Sequence, residues 1–184
     1  YAGTAGSRSV ATAVWELFVP SLLGADAFEA ETLWQRMYKE TLLLGRSGAV
    51  LRAIAAADIA LWDAKGQLLD LPLARMLGST ATSVPAYASG GYYRVDKGLD
   101  GLAAEVAAWR ERGFRDVKIK VGGAPLPHDV ERVRVAREAL GSEGRLALDA
   151  NNAWQTPADA IRAARAFEPY DIWWLEEPLS PDDI

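Results

Sequence analysis

From about residue 80 onward the sequence repeats one unit, a short apolar strand followed by an amphipathic helix. Each of four units carries a polar residue at or near the C-terminal end of its predicted strand. These residues are Ser89, Lys120, Asp149 and Glu176, which are 31, 29 and 27 residues apart. A unit of about 30 residues is typical of a (β/α)8 barrel, where active-site residues come from the C-terminal ends of the strands. A doubly wound open sheet repeats in the same way and binds ligands at the same edge.

The turn after the first strand favours the barrel. Gly90-Gly91 lacks the third glycine of a dinucleotide-binding fingerprint and continues into Tyr92-Tyr93. A complete barrel needs eight units and four are present. We therefore predict an α/β fold in which residues 80–184 form the N-terminal half of a (β/α)8 barrel, and we expect the chain to be a fragment. A half-barrel has two open sheet edges that another segment would have to cover.

Apolar runs between turn residues predict the boundaries of these elements. The strands are expected at residues 84–88, 115–121, 145–150 and 172–176. Between them we expect one helix that ends at Gly113, one over residues 126–140, and one that is capped by Thr156 with a proline at its first position.

Residues 1–79 show a different pattern, which predicts a mainly helical domain. Loose alternation predicts one strand over residues 11–19. Asp26, three residues before an acidic residue, is typical of a helix N-terminus, and Ser47 is placed to cap a second helix. Gly66 is expected to interrupt that second helix.

Within the second barrel strand, Lys118 and Lys120 alternate with Val117, Ile119 and Val121, so that both lysines lie on one face. A parallel sheet between helices is covered on its outer face, and the lysines should therefore face the interior. Two ammonium groups about 7 Å apart in a partly enclosed site repel each other and lose hydration. At least one should then have a lowered pKa, unless carboxylates lie close by.

Charge and composition exclude several kinds of partner and site. Twenty basic and twenty-five acidic residues give a net charge of −5, which provides no electrostatic basis for binding nucleic acid or an anionic membrane. The absence of cysteine and the single histidine exclude thiolate and multi-histidine metal sites. No apolar run approaches the roughly 20 residues of a membrane span. We expect a cytoplasmic protein.

Carboxylates at the ends of the next two strands suit a magnesium ion. Asp149 and Glu176 offer hard oxygen ligands, and Asn151 lies on the same face as Asp149. Further oxygens would come from water, substrate or a carboxylate on a later strand. One of the two lysines is placed to remove a proton beside a substrate carboxylate, while the metal and the other lysine offset the charge that develops.

Three segments, in this order and spacing, resemble motifs of the enolase superfamily, and most closely its mandelate racemase and muconate lactonizing enzyme branch. They are Lys118-Ile119-Lys120, Leu148-Asp149-Ala150-Asn151 and Trp174-Leu175-Glu176-Glu177-Pro178. Residues 57–66 also resemble the end of that family's α+β capping domain. The resemblance implies a partial capping domain over residues 1–79, before the half-barrel. A lysine base and a magnesium-stabilised intermediate are established for this superfamily.

By position, the resemblance implies that Lys120 is the general base and Lys118 its electrostatic partner near the substrate carboxylate. Asp149 and Glu176 would bind Mg²⁺, and Asn151 would lie near the metal or the substrate. The implied function is abstraction of the α-proton of a small-molecule carboxylate through an enediolate intermediate. The remaining metal ligand and the opposite-face acid or base belong to later strands, so the 184 residues alone are expected to be inactive.

Within the superfamily, dehydration of an acid sugar is the expected reaction, and racemisation, epimerisation and cycloisomerisation are the alternatives. A Schiff-base aldolase that uses Lys118 or Lys120 as its nucleophile is a second hypothesis. A non-catalytic barrel fragment is a third. We also expect a homo-oligomer.

Overall fold

The computed structural model describes residues 8–182, which fold into two units that divide between Thr82 and Ser83. The regular structure of the first unit is helical. Its elements are α1 (Arg8–Ala13), a π-helical segment (Val14–Phe18), α2 (Val19–Leu22), a 3₁₀ turn (Ala27–Glu29), α3 (Ala30–Glu40), α4 (Gly48–Leu69) and α5 (Leu73–Met76). No single helix within residues 8–182 is long and apolar enough to cross a membrane. The bent pair Arg8–Leu22 and Ala27–Glu40 reaches that length and apolar content only when its two helices are taken together.

The strand predicted over residues 11–19 is wrong, because this segment is helical. Val10, Val14, Leu17 and Phe18 recur at the three- and four-residue spacing of a helix and pack into one core. Short apolar runs fit a strand and a helix equally well until their packing partner is known.

Gly66 does not interrupt α4, which continues to Leu69. The helix ends where Asp70 adopts a left-handed conformation (φ 53°) and the Leu71 amide donates to the Gly66 carbonyl oxygen at 2.9 Å. A Cβ atom on residue 66 would lie 3.0 Å from the Leu71 carbonyl oxygen. Glycine therefore allows the chain to turn back tightly. Ser47 precedes α4, but its side chain makes no capping hydrogen bond.

The second unit is a parallel sheet with strands in the order β1-β2-β3-β4 and helices between them, as predicted. The strands are β1 (Ala88–Gly90), β2 (Val117–Lys120), β3 (Leu146–Asp149) and β4 (Ile172–Glu176). The helices are α6 (Leu99–Glu111), α7 (Leu126–Leu140) and α8 (Pro157–Phe167), and a 3₁₀ turn (Glu168–Tyr170) follows α8.

The first strand lies later than predicted, since pairing begins at Ala88 rather than at residue 84. Pro85 has no amide hydrogen to donate, and Val84 is 77% exposed. Residues 84–87 therefore approach the sheet, and the chain joins it at Ala88. The predicted cap of α8 is confirmed, because the Thr156 hydroxyl accepts a hydrogen bond from the Asp159 amide.

The core of the second unit lies between one face of the sheet and the helices. Val117, Ile119 and Val121 are buried there, with Leu146 and Leu148 of β3 beside them. Lys118 and Lys120 consequently lie on the opposite face, as the alternation predicted. The helices thus cover the apolar face and leave the lysines on the face that a closed barrel would enclose.

An irregularity in β4 determines which face Glu176 occupies. Leu146 pairs with Ile172, but Leu148 pairs with Leu175, so β4 contains one extra residue relative to β3. Ile172 and Leu175 both pack against the helix-covered core. Strict alternation from Ile172 would place Glu176 in that core, whereas the bulge turns it toward the face with the lysines.

The loop after β2 has no room for a side chain at Gly122. A substitution at this position therefore tests how tightly the loops pack. Its φ is +83°, and a Cβ atom would lie 2.3 Å from Ala153 Cβ. In the intact protein, Gly122→Ala should reduce the free energy of unfolding by strain of about 1–3 kcal/mol plus an overpacking cost of about 1–3 kcal/mol. Urea denaturation measures the sum.

Gly113→Ala is the matched control, because Gly113 has a similar φ of +91° but nothing within 4 Å of the added Cβ. It should show the strain cost alone. Equal destabilisation by both substitutions would contradict the predicted clash with Ala153.

Candidate active site

Four charged side chains from three neighbouring strands form one cluster at the C-terminal edge of the sheet. Lys120 of β2 lies opposite Asp149 of β3, which lies opposite Glu176 of β4. Asp149 Oδ2 is 2.6 Å from Lys120 Nζ and 3.4 Å from Lys118 Nζ. Both carboxylate oxygens of Glu176 lie 2.7 Å from Lys118 Nζ. The structure therefore brings together the two predicted catalytic residues and the two predicted metal ligands.

Lys118 is buried, with 8% of its surface exposed, and this burial acts to lower its pKa. The hydrogen bonds and charge of Glu176, with smaller contributions from Tyr87 and Asp149, outweigh it, and the pKa of Lys118 is raised. The sequence predicted a lowered lysine pKa unless carboxylates lay close by. At Lys118 two carboxylates do lie close by, those of Glu176 and Asp149. Lys118 is therefore protonated at neutral pH.

Asp149 is 3% exposed, and burial acts to raise its pKa. The hydrogen bond from Lys120, the amide of Asn151 at 3.0 Å and the charges of both lysines reverse this effect, so the pKa of Asp149 is lowered. The carboxylate is ionised at neutral pH and is available as an anionic oxygen ligand.

Asn151 lies just beyond β3 in a left-handed conformation (φ 45°), which asparagine tolerates better than most residues. Its side-chain amide donates to Glu177 Oε2 at 3.1 Å. Glu177 is also left-handed (φ 48°), so two unusual backbone positions meet at the rim of the cluster. Asn151 is linked to Asp149 through its backbone amide, and its side chain is exposed beside the cluster.

Aromatic side chains flank the cluster, and sequence reasoning assigned none of them a role there. Trp174 Nε1 donates to Glu176 Oε2 at 3.1 Å. The Tyr87 ring centroid lies 5.6 Å from Lys118 Nζ, and the Tyr92 centroid lies 5.3 Å from Lys120 Nζ, distances at which a ring attracts a cation. The bulge in β4 orients Trp174, and a uniform strand alternation could not have revealed it.

Sequence reasoning also missed two buried charged residues on α7, Asp129 and Arg132. Only apolar residues were expected on the inner face of this helix. The available signal was their spacing, because Asp129 precedes Val133 by four residues and Arg132 precedes Ala136 by four. They lie beneath the loops that follow β1 and β2.

Asp149 and Glu176 fit the donor chemistry of a magnesium site, because both direct carboxylate oxygens at one shared cation, the Lys118 ammonium. Within residues 8–182, no group of three histidine, cysteine, aspartate or glutamate side chains is arranged to hold a metal ion. The cluster therefore offers two ligands. Water, substrate or residues outside this range would complete the coordination.

Comparison with known families agrees with the geometry of this cluster. Residues 1–78 match the N-terminal domain of the mandelate racemase and muconate lactonizing enzyme family, and residues 101–184 match the enolase C-terminal domain-like family. The chain belongs to the enolase superfamily. The resemblance inferred from the lysine, aspartate and glutamate motifs is thereby confirmed.

Relatives of the chain include a dehydratase and a cycloisomerase. An arabinonate dehydratase of Saccharolobus solfataricus is 37% identical over 176 residues, which are 96% of this chain and 47% of that protein. A 3,6-anhydro-alpha-L-galactonate cycloisomerase of Streptomyces coelicolor is 42% identical over 179 residues, which are 97% of this chain and 49% of that protein.

A solved structure provides the same comparison in three dimensions. The L-talarate/galactarate dehydratase of Salmonella typhimurium, crystallised with Mg and L-lyxarohydroxamate, superposes with a TM-score of 0.83 at 35% identity. The match covers 100% of this chain and 46% of that one. The chain thus spans about half the length of the relatives that it matches.

Replacement of Glu176 tests the balance of forces on Lys118. In metal-free protein, Glu176→Gln should lower the pKa of Lys118, because burial remains after the strongest opposing interaction is lost. NMR titration of the lysine Nζ signal would measure this change. Glu177→Gln is the control, since Glu177 contacts Asn151 instead, and it should leave the Lys118 titration unchanged. An unchanged titration in Glu176→Gln would contradict the inference that Glu176 raises the pKa of Lys118.

The same raised pKa has a consequence for stability. The pairing of Lys118 stabilises the folded protein fully below the ordinary lysine pKa of 10.5, and this stabilisation is lost as the pH rises through the higher folded-state value. The unfolding free energy of the parental protein should therefore fall more steeply than that of Glu176→Gln above this pH. Urea denaturation across alkaline pH measures both slopes, and parallel slopes would contradict the expectation.

Proposed function

We propose that the intact protein is a Mg²⁺-dependent enzyme that removes the α-proton of a small-molecule carboxylate substrate, with Lys120 as the base, and that its reaction is dehydration of an acid sugar. The observation that carries the proposal is the alternation of positive and negative groups along one sheet edge, Lys120 with Asp149 and Lys118 with Glu176. The names of the relatives, which include dehydratases of acid sugars, support the substrate class.

The two lysines have different surroundings, which supports different roles. Lys118 is held by both oxygens of one carboxylate and stays protonated, so its N–H groups can donate to the substrate carboxylate. Lys120 has one carboxylate partner at hydrogen-bond distance, and the Tyr92 ring lies near its ammonium. We propose that the neutral amine of Lys120, after its own proton has passed to solvent, accepts the α-proton at Nζ.

Removal of an α-proton from a carboxylate places a second negative charge on the substrate. Lys118 offsets part of that charge where it develops, in a partly buried site where charges interact more strongly than in water. Mg²⁺ held by Asp149 and Glu176 would supply the remaining positive charge. Asn151, at the rim, is placed to donate a hydrogen bond to the substrate or to hold Glu177 in position.

Replacement of Lys120 tests the assignment of the base. In the intact enzyme, Lys120→Ala should reduce turnover of the true acid sugar by roughly 10²- to 10⁴-fold, because the proton acceptor is lost. A panel of acid sugars with Mg²⁺ identifies the substrate, and exchange of the α-proton in D₂O follows the same step. Lys39→Ala, on an exposed face of α3, should behave like the parental enzyme.

Near-parental turnover of Lys120→Ala would show that Lys120 is not the base. Full activity in excess chelator, together with borohydride trapping of a substrate adduct, would instead support the Schiff-base aldolase hypothesis.

Replacement of Asp149 tests the metal ligands. Asp149→Asn should weaken Mg²⁺ binding by more than the roughly 10- to 100-fold that is typical of outer-shell changes, because a charged ligand is lost. Titration calorimetry of the chelator-treated protein would measure it. Asp116→Asn is the control, since Asp116 pairs with Arg145 at the other end of the same sheet. Equal Mg²⁺ affinity in both variants would contradict the proposed ligands.

A further inference from the structure

Two charged side chains, Asp129 and Arg132, lie in the interior of the second unit although the proposed chemistry does not use them. They are 1% and 2% exposed and lie almost one turn apart on α7. Charged groups are rarely buried to this extent unless they are paired and hydrogen-bonded. Their partners are the loop that follows β1 and the end of β2 with the loop that follows it.

Asp129 holds both loops through hydrogen bonds. Its Oδ2 accepts from the Gly122 amide at 2.8 Å, and its Oδ1 accepts from the Tyr93 hydroxyl. The Tyr93 hydroxyl in turn accepts from the Gly123 amide at 3.1 Å. Burial, together with the bond to Asp129, raises the pKa of Tyr93, so its hydroxyl remains a donor. One carboxylate and one phenol thus connect the two loops.

Arg132 makes a second connection between the same two loops. Its guanidinium donates to the Gly91 carbonyl oxygen and lies 3.4 Å from the carbonyl oxygen of Lys120 itself. It also stacks on the Tyr93 ring, 3.9 Å from the centroid. The group therefore contacts the backbone of the proposed base directly.

The loops have almost no free space in which to adjust. A Cβ atom on Gly123 would lie 2.6 Å from the Tyr93 ring, and one on Gly91 would lie 2.7 Å from Ile119 Cβ. Tyr92, between Gly91 and Tyr93, presents its ring to Lys120 Nζ. The network therefore reaches Lys120 by two routes, through its backbone carbonyl and through the aromatic ring beside its ammonium.

We propose that Asp129, Arg132 and Tyr93 are positioning residues that fix the end of β2, and thereby hold Lys120 Nζ at the place where it receives the substrate proton. This proposal rests on the proposed role of Lys120 as base. Asp129 Oδ1 and Arg132 Nε also form an ion pair at 3.9 Å, and buried ion pairs contribute little net stability compared with apolar residues of the same volume. A geometric role therefore accounts for these charges better than a stabilising one.

The decisive variant is Tyr93→Phe in the intact Mg²⁺-bound enzyme, because it removes one oxygen and leaves the ring in place. Displacement of the base by a fraction of an ångström should lower kcat by roughly 10- to 100-fold and leave KM nearly unchanged. Hydrogen exchange at the Gly123 amide should accelerate, since its acceptor is lost.

Arg132 supplies a graded pair of variants on the same network. Arg132→Lys keeps the positive charge beside Asp129 and should retain more turnover than Arg132→Gln, which keeps a donor but loses that charge. Arg134→Lys is the control on the same helix, because Arg134 pairs with Glu131 and Glu138 and is partly exposed. It should keep parental kcat and parental exchange at Gly123.

Lys120→Ala in the same series separates the two proposals. If it is inactive while folded Tyr93→Phe and Arg132→Lys keep parental kcat, only the positioning role is overturned, even if their melting temperatures fall. If Lys120→Ala keeps near-parental turnover, the base assignment and the positioning role fail together. The base assignment and the positioning role are both supported if Lys120→Ala is inactive, Tyr93→Phe loses kcat and Arg132→Lys retains part of the parental turnover.

Discussion

The placement of two lysines side by side on one buried strand is the constraint on which the site depends. Lys118 and Lys120 would repel each other and lose hydration if nothing else faced them. Asp149 of β3 and Glu176 of β4 offset that cost, and the pKa values of Lys118 and Asp149 move in the directions that keep both groups charged. The result is a preorganised set of charges whose positions depend on the sheet register.

That register is set by the apolar residues of the strands and not by the charged residues themselves. Apolar residues of β2 and β3 hold one face of the sheet against the helices, and a shift of one residue would turn the charged groups into that core. The bulge in β4 shows how local this control is, because a single extra residue decides whether Glu176 meets Lys118. Glycines such as Gly122, which has no space for a side chain, then bring the loops after the strands into contact.

Membership in the enolase superfamily gives this geometry a chemical context. The cluster holds two carboxylates that suit a divalent cation, one lysine that stays protonated and one that is assigned the proton transfer. In the proposed reaction each of these groups needs the others, since a second negative charge on a carboxylate substrate requires positive charge on more than one side. The buried Asp129 and Arg132 bind the backbone at the end of β2, which carries Lys120.

The sequence by itself determined the strand-helix repeat, the face on which the lysines lie and the four charged residues of the site, because alternation and repeat length are local properties of the chain. It did not determine that residues 11–19 are helical, since short apolar runs suit both structures until a packing partner is present. The sequence also could not reveal which face of the sheet Glu176 and Trp174 occupy, that β1 begins only at Ala88, or that Asp129 and Arg132 are buried. Those depend on pairing between strands and on loops that meet only in three dimensions, so only the tertiary structure decided them.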